Sequence, residues 1–274
     1  MKYRFSIILI LLLISCNSNR EGKFTEIECT KEKMPEFDGR KVSLLDEKGV
    51  AYKDTIIERI EKRRNVFKPC RDYIYRANFY DQNKSLITST RIKMTATGKR
   101  WENQPELQDE LTIQYEYEKE DQKKAVQNKL NKKYPEYPWV KETKTGIIEN
   151  AKKIWMHPFR SNQFLFTEIA PFPEIEYPIK IGKTWTGQLR IQEGWGDWEN
   201  TSGNFSYEIT KQESTETKYG EIDNCWKVES ISNYPFGKSN FDYWFSEKLG
   251  FVKMNYRNYG GQYLEIELEE MKER

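Results

Sequence analysis

Between residues 183 and 270 apolar side chains return at every second position, and few other patterns constrain a fold so tightly. Period two places successive side chains on opposite faces of a strand, whereas a helix needs a period of about 3.6. In TWTGQLRIQ the residues Trp185, Leu189 and Ile191 share a face, and in NFSYEITK Phe205, Tyr207 and Ile209 do. Ile222, Trp226 and Val228 follow, then Phe241, Tyr243 and Phe245. No helical pattern separates these runs, so they predict an antiparallel meander. The last two strands fix a register. Val252, Met254 and Tyr256 must face the same side as Leu264, Ile266 and Leu268. A two-residue turn at Gly260-Gly261 would put the two sets on opposite faces. A three-residue loop, Tyr259-Gly260-Gly261, opposes Tyr256 to Leu264 and Met254 to Ile266. The prediction is therefore a three-residue loop with a left-handed glycine and a bulge.

A sheet with one aromatic face twists and curls, into a barrel or a half-barrel whose concave face is covered. That face is the predicted ligand surface, lined by Trp185, Leu189, Phe205, Tyr207, Trp226, Phe241 and Tyr243. Upstream the pattern is mixed. DYIYRANFY alternates Tyr73, Tyr75, Ala77 and Phe79; SLITSTRIKMTA puts Leu86, Ile92 and Met94 on one face; LTIQYEY alternates Leu111, Ile113, Tyr115 and Tyr117. Two helices are predicted around these strands. One spans KDTIIERIEKRR, with Thr55 and Glu58 at capping-box spacing and Ile56 and Ile60 one turn apart. The other spans DQKKAVQNKLNKK, starts at Asp121, and is polar enough to lie on the surface. The fold class is α+β, mainly β. A mixed module over 41–165 precedes an antiparallel meander over 166–274.

The first fifteen residues, MKYRFSIILILLLIS, carry Lys2 and Arg4 ahead of an apolar run from Ile7 to Ile14. That run is too short for a membrane span, which takes about 20 residues, and it reads as a secretory signal over 1–15. Leu13-Ile14-Ser15-Cys16 resembles the lipobox of bacterial lipoproteins. The resemblance implies cleavage before Cys16 and acylation of its sulfur and amino group. More than one acyl chain makes a stable anchor. Residues 16–40 are polar and poorly patterned, and read as a lipidated tether.

Cleavage would leave basic and acidic side chains balanced at 43 each. No bulk positive charge points to nucleic acid. Three cysteines remain after Cys16. Cys29 and Cys70 can pair in an oxidising compartment, and Cys225 reads as a small buried apolar residue. With no C-x-x-C and one histidine, no metal site is expected, and no cofactor motif occurs.

The stretch EYPIKIGKTWTG, followed by the meander and FDYWFSEKLGFVKM, resembles a family of uncharacterised bacterial envelope lipoproteins. Tyr177-Pro178, Gly182-Lys183, Trp185, Trp244, Gly250 and Val252 carry the likeness, over about residues 145–270. The family is similar in shape to the LolA-like half-barrels of the periplasm. It implies a curled sheet, an envelope location and binding of acyl chains or a scaffold role. It brings no catalytic residues.

Two features invite chemistry. His157, the sole histidine, precedes Pro158, which favours an extended residue before it. It has no nucleophile motif or second histidine in support, and is expected to hydrogen-bond a backbone carbonyl where the modules meet. In IQEGWGDWEN, Trp195 and Trp198 are interleaved with Glu193, Asp197 and Glu199. Such loop aromatics can stack on a sugar, dip into a membrane interface, or fold back to plug the barrel end. The expected function is that of a membrane-anchored, non-enzymatic binding or scaffold module of the cell envelope, at the outer membrane. Its partners are the membrane, an apolar or lipid ligand, or another envelope protein. The alternative is a carbohydrate-binding module or a glycan hydrolase.

Overall fold

Strands from both halves of the chain join in one antiparallel sheet. The computed structural model describes residues 23–31, 41–45, 51–56, 65–105 and 107–274. The strands β1 (Lys41–Leu45) and β2 (Ala51–Ile56) make a separate hairpin. Twelve more strands follow. They are β3 (Arg71–Tyr80), β4 (Leu86–Arg100), β5 (Asp109–Glu116), β6 (Glu142–Glu149), β7 (Lys153–Met156) and β8 (Glu174–Glu176), then β9 (Thr184–Ile191), β10 (Thr201–Thr217), β11 (Gly220–Tyr234), β12 (Gly237–Ser246), β13 (Gly250–Arg257) and β14 (Tyr263–Glu273). A single α-helix among the described residues, α1 (Lys119–Gln127), links β5 to β6. The order across the sheet is β8-β7-β6-β5-β4-β3-β14-β13-β12-β11-β10-β9. Two six-stranded meanders are thus stitched together where the last strand pairs with β3, from Tyr263↔Tyr80 to Glu273↔Arg71. The result is a nearly closed, mostly β barrel with β8 and β9 at its edges.

The alternating residues point where the period places them. Tyr73, Tyr75, Ala77, Ile92, Met94, Leu111 and Ile113 are buried, as are Phe205, Tyr207, Ile209, Phe241, Tyr243 and Phe245. In the last hairpin Met254 pairs with Ile266 and Tyr256 with Leu264, so both apolar sets face the core. Asn258 N–H donates to the Gln262 carbonyl (3.1 Å), leaving three loop residues between them. Gly261 has φ +79°, a conformation a side chain resists. The paired register of this hairpin has no shift, so the irregularity stays inside the loop.

The barrel is filled by its own chain. Between β7 and β8 the polypeptide crosses the concave face and forms a 3-10 segment over Asn162–Ile169. Phe159 packs on Tyr75, Phe164 on Tyr115, and Phe166 on Phe79 and Tyr256. Gln163 bridges the inward hydroxyls of Thr88 and Thr90, at 2.8 and 2.9 Å. On the other meander, Ser232 donates to the Ile169 carbonyl and the Phe172 N–H donates to the Tyr207 hydroxyl. Each buried polar group of the crossing chain named here thus has a partner on the sheet, as burial requires.

Outside the sheet, residues 23–31 run along the convex face of β3–β5. Thr25 exchanges hydrogen bonds with the Gln114 side chain, and its carbonyl accepts from Lys93 Nζ. The Thr30 N–H donates to the Thr97 carbonyl, and Cys29 is disulfide-bonded to Cys70. This part of the expected tether is therefore a strap fastened to the barrel.

Several expectations need correction. The helix expected over KDTIIERIEKRR does not begin as one: Lys53–Ile56 belong to β2, and Glu58 and Ile60 lie outside the described residues. The second helix begins two residues earlier than expected, at Lys119. Asp121 caps it by accepting the Glu118 N–H (2.8 Å), and it ends at Gln127. Leu86 is 55 % exposed, because the register shifts between Phe79 and Tyr80. Trp226 is only half buried, and its ring N–H reaches the Glu247 carboxylate. Two bulges in the β10–β11 pairing interrupt the period there, and Cys225 is the buried residue instead. The signal, the lipobox and Cys16 lie outside the described residues.

Candidate binding site

The cavity is at one end of the barrel, not along its axis. Its volume is about 400 Å³, within the roughly 300–1,000 Å³ typical of small-molecule sites. Helix α1 supplies Gln122, Ala125 and Val126, and the segment after it supplies residues 128–131 and 134–140. The start of the crossing segment adds Arg160 to Gln163, then Leu165 and Phe166. Trp195 and Trp198 close it from the β9–β10 loop, with Phe79 and Gln262 from the strand ends. It is an open groove. Tyr137 (63 % exposed) and Val140 (40 %) stand at its rim.

The walls are held by specific bonds. Asn131, itself buried, donates to the Trp195 carbonyl (2.7 Å) and accepts the Asp197 and Tyr134 N–H groups. The Asp197 carboxylate accepts the Lys132 and Lys133 N–H groups and pairs with Lys133 Nζ at 3.3 Å. Some desolvation raises its carboxyl, but the Lys133 ammonium and the Lys132 and Lys133 N–H groups outweigh it and hold the group below the usual carboxylate range. Gly196 makes the approach possible. Its φ is +58°, and a Cβ there would lie 2.5 Å from the Tyr134 nitrogen. Trp198 is buried, stacks near Phe236, and donates its ring N–H to the Tyr259 hydroxyl (2.8 Å). Trp195 stays half buried, 5.6 Å from the Tyr134 ring and tilted 42° to it. One loop tryptophan closes the barrel end and the other lines the groove.

The other expected site residues lie elsewhere. Trp185, Phe205, Tyr207, Phe241 and Tyr243 are packed in the barrel interior, where Trp185 stacks on Tyr207 at 5.0 Å. Leu189 and Trp226 are half buried against the same core. None of the seven lines the groove. His157 sits among Trp101, Trp155 and Phe172, with ring centroids 4.6–5.8 Å away. Its Nδ1 is buried and has no hydrogen-bond partner, so the expected ring-to-carbonyl bond is not made through that nitrogen. Burial, and secondarily the Arg160 charge, push its pKa down to about 3. It remains a neutral aromatic filler. Of the carboxylates beside the tryptophans, Asp197 is held as described, Glu199 accepts the Gly194 N–H, and Glu193 is exposed. Trp198 is buried and Trp195 half buried, so the two rings do not form the exposed pair expected of a sugar site. Among the described residues no cluster of metal-ligating side chains occurs. Sequence reasoning missed the groove walls over 128–140. Their one signal was the YPEYPW run at 134–139, whose prolines restrict the backbone of that wall and whose aromatics line it.

No known protein family and no curated protein matches the sequence. Solved structures give distant likenesses. One is a protein of Bacteroides fragilis described, provisionally, as exported and of YmcC-like fold. It is 13 % identical, covers 74 % of this chain and 96 % of its own, and has a TM-score of 0.43. A provisionally assigned lipoprotein of Parabacteroides distasonis gives 13 %, 74 %, 94 % and 0.41. A Vibrio parahaemolyticus domain, provisionally an outer membrane lipoprotein-sorting protein, gives 9 %, 74 %, 84 % and 0.21. At these scores the likenesses assign no function to this chain.

Proposed function

We propose that the chain is a lipid-anchored, non-enzymatic binding module of the cell envelope, placed at the outer membrane through Cys16. Its site is the groove at the barrel end, and its ligand is an acyl chain or an apolar molecule of similar size. The observation that carries this reading is an open aromatic groove beside an interior already filled by the crossing segment. A ligand bound along the barrel axis would have to displace Phe159, Phe164 and Phe166 from fully packed positions. Each such side chain contributes about 1.5–3 kcal/mol through burial. A ligand in the groove displaces only water.

The test is organic extraction of the purified protein carrying Cys16→Ser, followed by mass spectrometry. Acyl lipid is expected from this protein and not from a version with Val126→Trp added, which fills the groove. Lipid recovered equally from both would place the ligand elsewhere. Its absence from both, with no apolar probe bound on titration, would sink the reading.

A further inference from the structure

We infer that the groove end of the barrel rests on an anionic bilayer surface, with its rim aromatics at the lipid interface. The inference rests on the lipid anchor of the preceding reading, and three observations of different kinds carry it.

The first is the direction of the strap. Phe24 lies under the Arg91 guanidinium at 5.4 Å, Thr25 reaches Lys93, and Thr30 reaches Thr97. The strap therefore enters nearer the groove end and runs away from it, since β4 begins at Leu86 beside that end. Five residues separate Leu86 from Arg91, about 17 Å of strand. Eight steps separate Phe24 from Cys16, at most about 28 Å of chain. A lipid on Cys16 can thus pass the groove end, on a leash too short to let the barrel tumble far from the bilayer.

The second is charge. The chain as a whole is nearly balanced, with a formal charge of +2. Residues 119–141, which build one side of the groove, hold seven lysines against three carboxylates. Lys123, Lys124, Lys132 and Lys133 are exposed. Lysines near an anionic membrane surface each add attraction that grows as the surface is approached. The third is the rim. Tyr137 and Val140 are exposed beside half-buried Trp139 and Trp195. Aromatic side chains with a polar tip are favoured at the headgroup boundary. The lysine-rich wall faces a loop that carries Glu193, Asp197 and Glu199, and Lys123 and Lys133 pair with Glu120 and Asp197. An apolar rim beside the remaining exposed lysines of that one wall suits a lipid surface better than it suits an acidic protein, which offers no apolar phase for the rim.

The test uses the mature chain with Cys16→Ser, so that no acyl chain contributes, and sedimentation with vesicles. Binding is expected to vesicles of 30 % phosphatidylglycerol in phosphatidylcholine and not to phosphatidylcholine alone, and to fall with added salt. Lys123→Gln, Lys124→Gln and Lys132→Gln together should weaken binding roughly a hundredfold, at about fivefold per lysine. Lys180→Gln, Lys218→Gln and Lys272→Gln, at the far end, should leave it within about twofold. All six are exposed, and circular dichroism checks each set for folding. Equal binding to both vesicle types, no binding to either, or equal loss from the two lysine sets would overturn the inference. So would a dimer in solution dissolved by the groove-end set, which would assign this surface to a second copy. Lipid recovered on extraction but no vesicle binding would remove this inference alone. Vesicle binding that survives a groove-filling Val126→Trp, with no lipid extracted, would remove the ligand and keep the orientation.

Discussion

Single residues decide whether the groove exists. Gly196 lets the β9–β10 loop settle on the backbone of 131–134, because no Cβ stands in the way. Gly196→Ala adds a side chain where φ is +58°, which costs roughly 1–2 kcal/mol before the clash is counted. Denaturant unfolding should show at least that loss, together with weaker binding of apolar probes. Unchanged stability would mean that the loop does not dock as described. His157 gives a second expectation at this scale. In the unfolded chain it titrates near 6.5, and in the barrel near 3. Between these values the unfolded state holds the extra proton, so the residue's contribution to stability is present above pH 6.5 and lost as pH falls toward 3. His157→Phe should flatten the stability-versus-pH curve in that window relative to the parent protein. Parallel curves would show that the ring is solvated.

At the scale of elements, the strap and its disulfide are the most exposed to test. Cys29 and Cys70 are 41 residues apart in sequence. Closing a loop of that length restricts the unfolded chain by about 4 kcal/mol in the chain-entropy account. Reduction, or Cys29→Ser with Cys70→Ser, should lower unfolding free energy by about 2–4 kcal/mol and speed exchange of the Lys93 and Gln114 amides under the strap. No change in either would make the strap dispensable. This element was hidden in the sequence because its bonds join polar side chains far apart in the chain, a signal no local period carries. The final hairpin was legible for the opposite reason. Period two, two glycines and two apolar triads leave a single register that buries both sets. Trp226 and Leu86 failed that logic because bulges at Ile209/Lys211, Glu213/Thr215 and Phe79/Tyr80 each change the count. The crossing segment after Pro158 straddles the expected module boundary at 165/166 and carries no predicted element. Its burial depends on two meanders closing around it, which neither meander's own pattern announces.

At the scale of the molecule, the aromatic face expected to hold a ligand is packed from within by the crossing segment, and the open groove lies at the barrel end. The two meanders and the crossing segment share one core, and the strap is bonded to its outer face. The groove keeps Tyr137 and Val140 open to solvent beside half-buried Trp139 and Trp195. The measurement that tests this most directly is quenching of tryptophan fluorescence by a brominated fatty acid titrated into the Cys16→Ser protein. Quenching should be largely lost with Trp139→Phe and Trp195→Phe, at the groove, and kept with Trp185→Phe, in the packed interior. Quenching that survives the groove pair and disappears with Trp185→Phe would put the ligand inside the barrel and contradict the account.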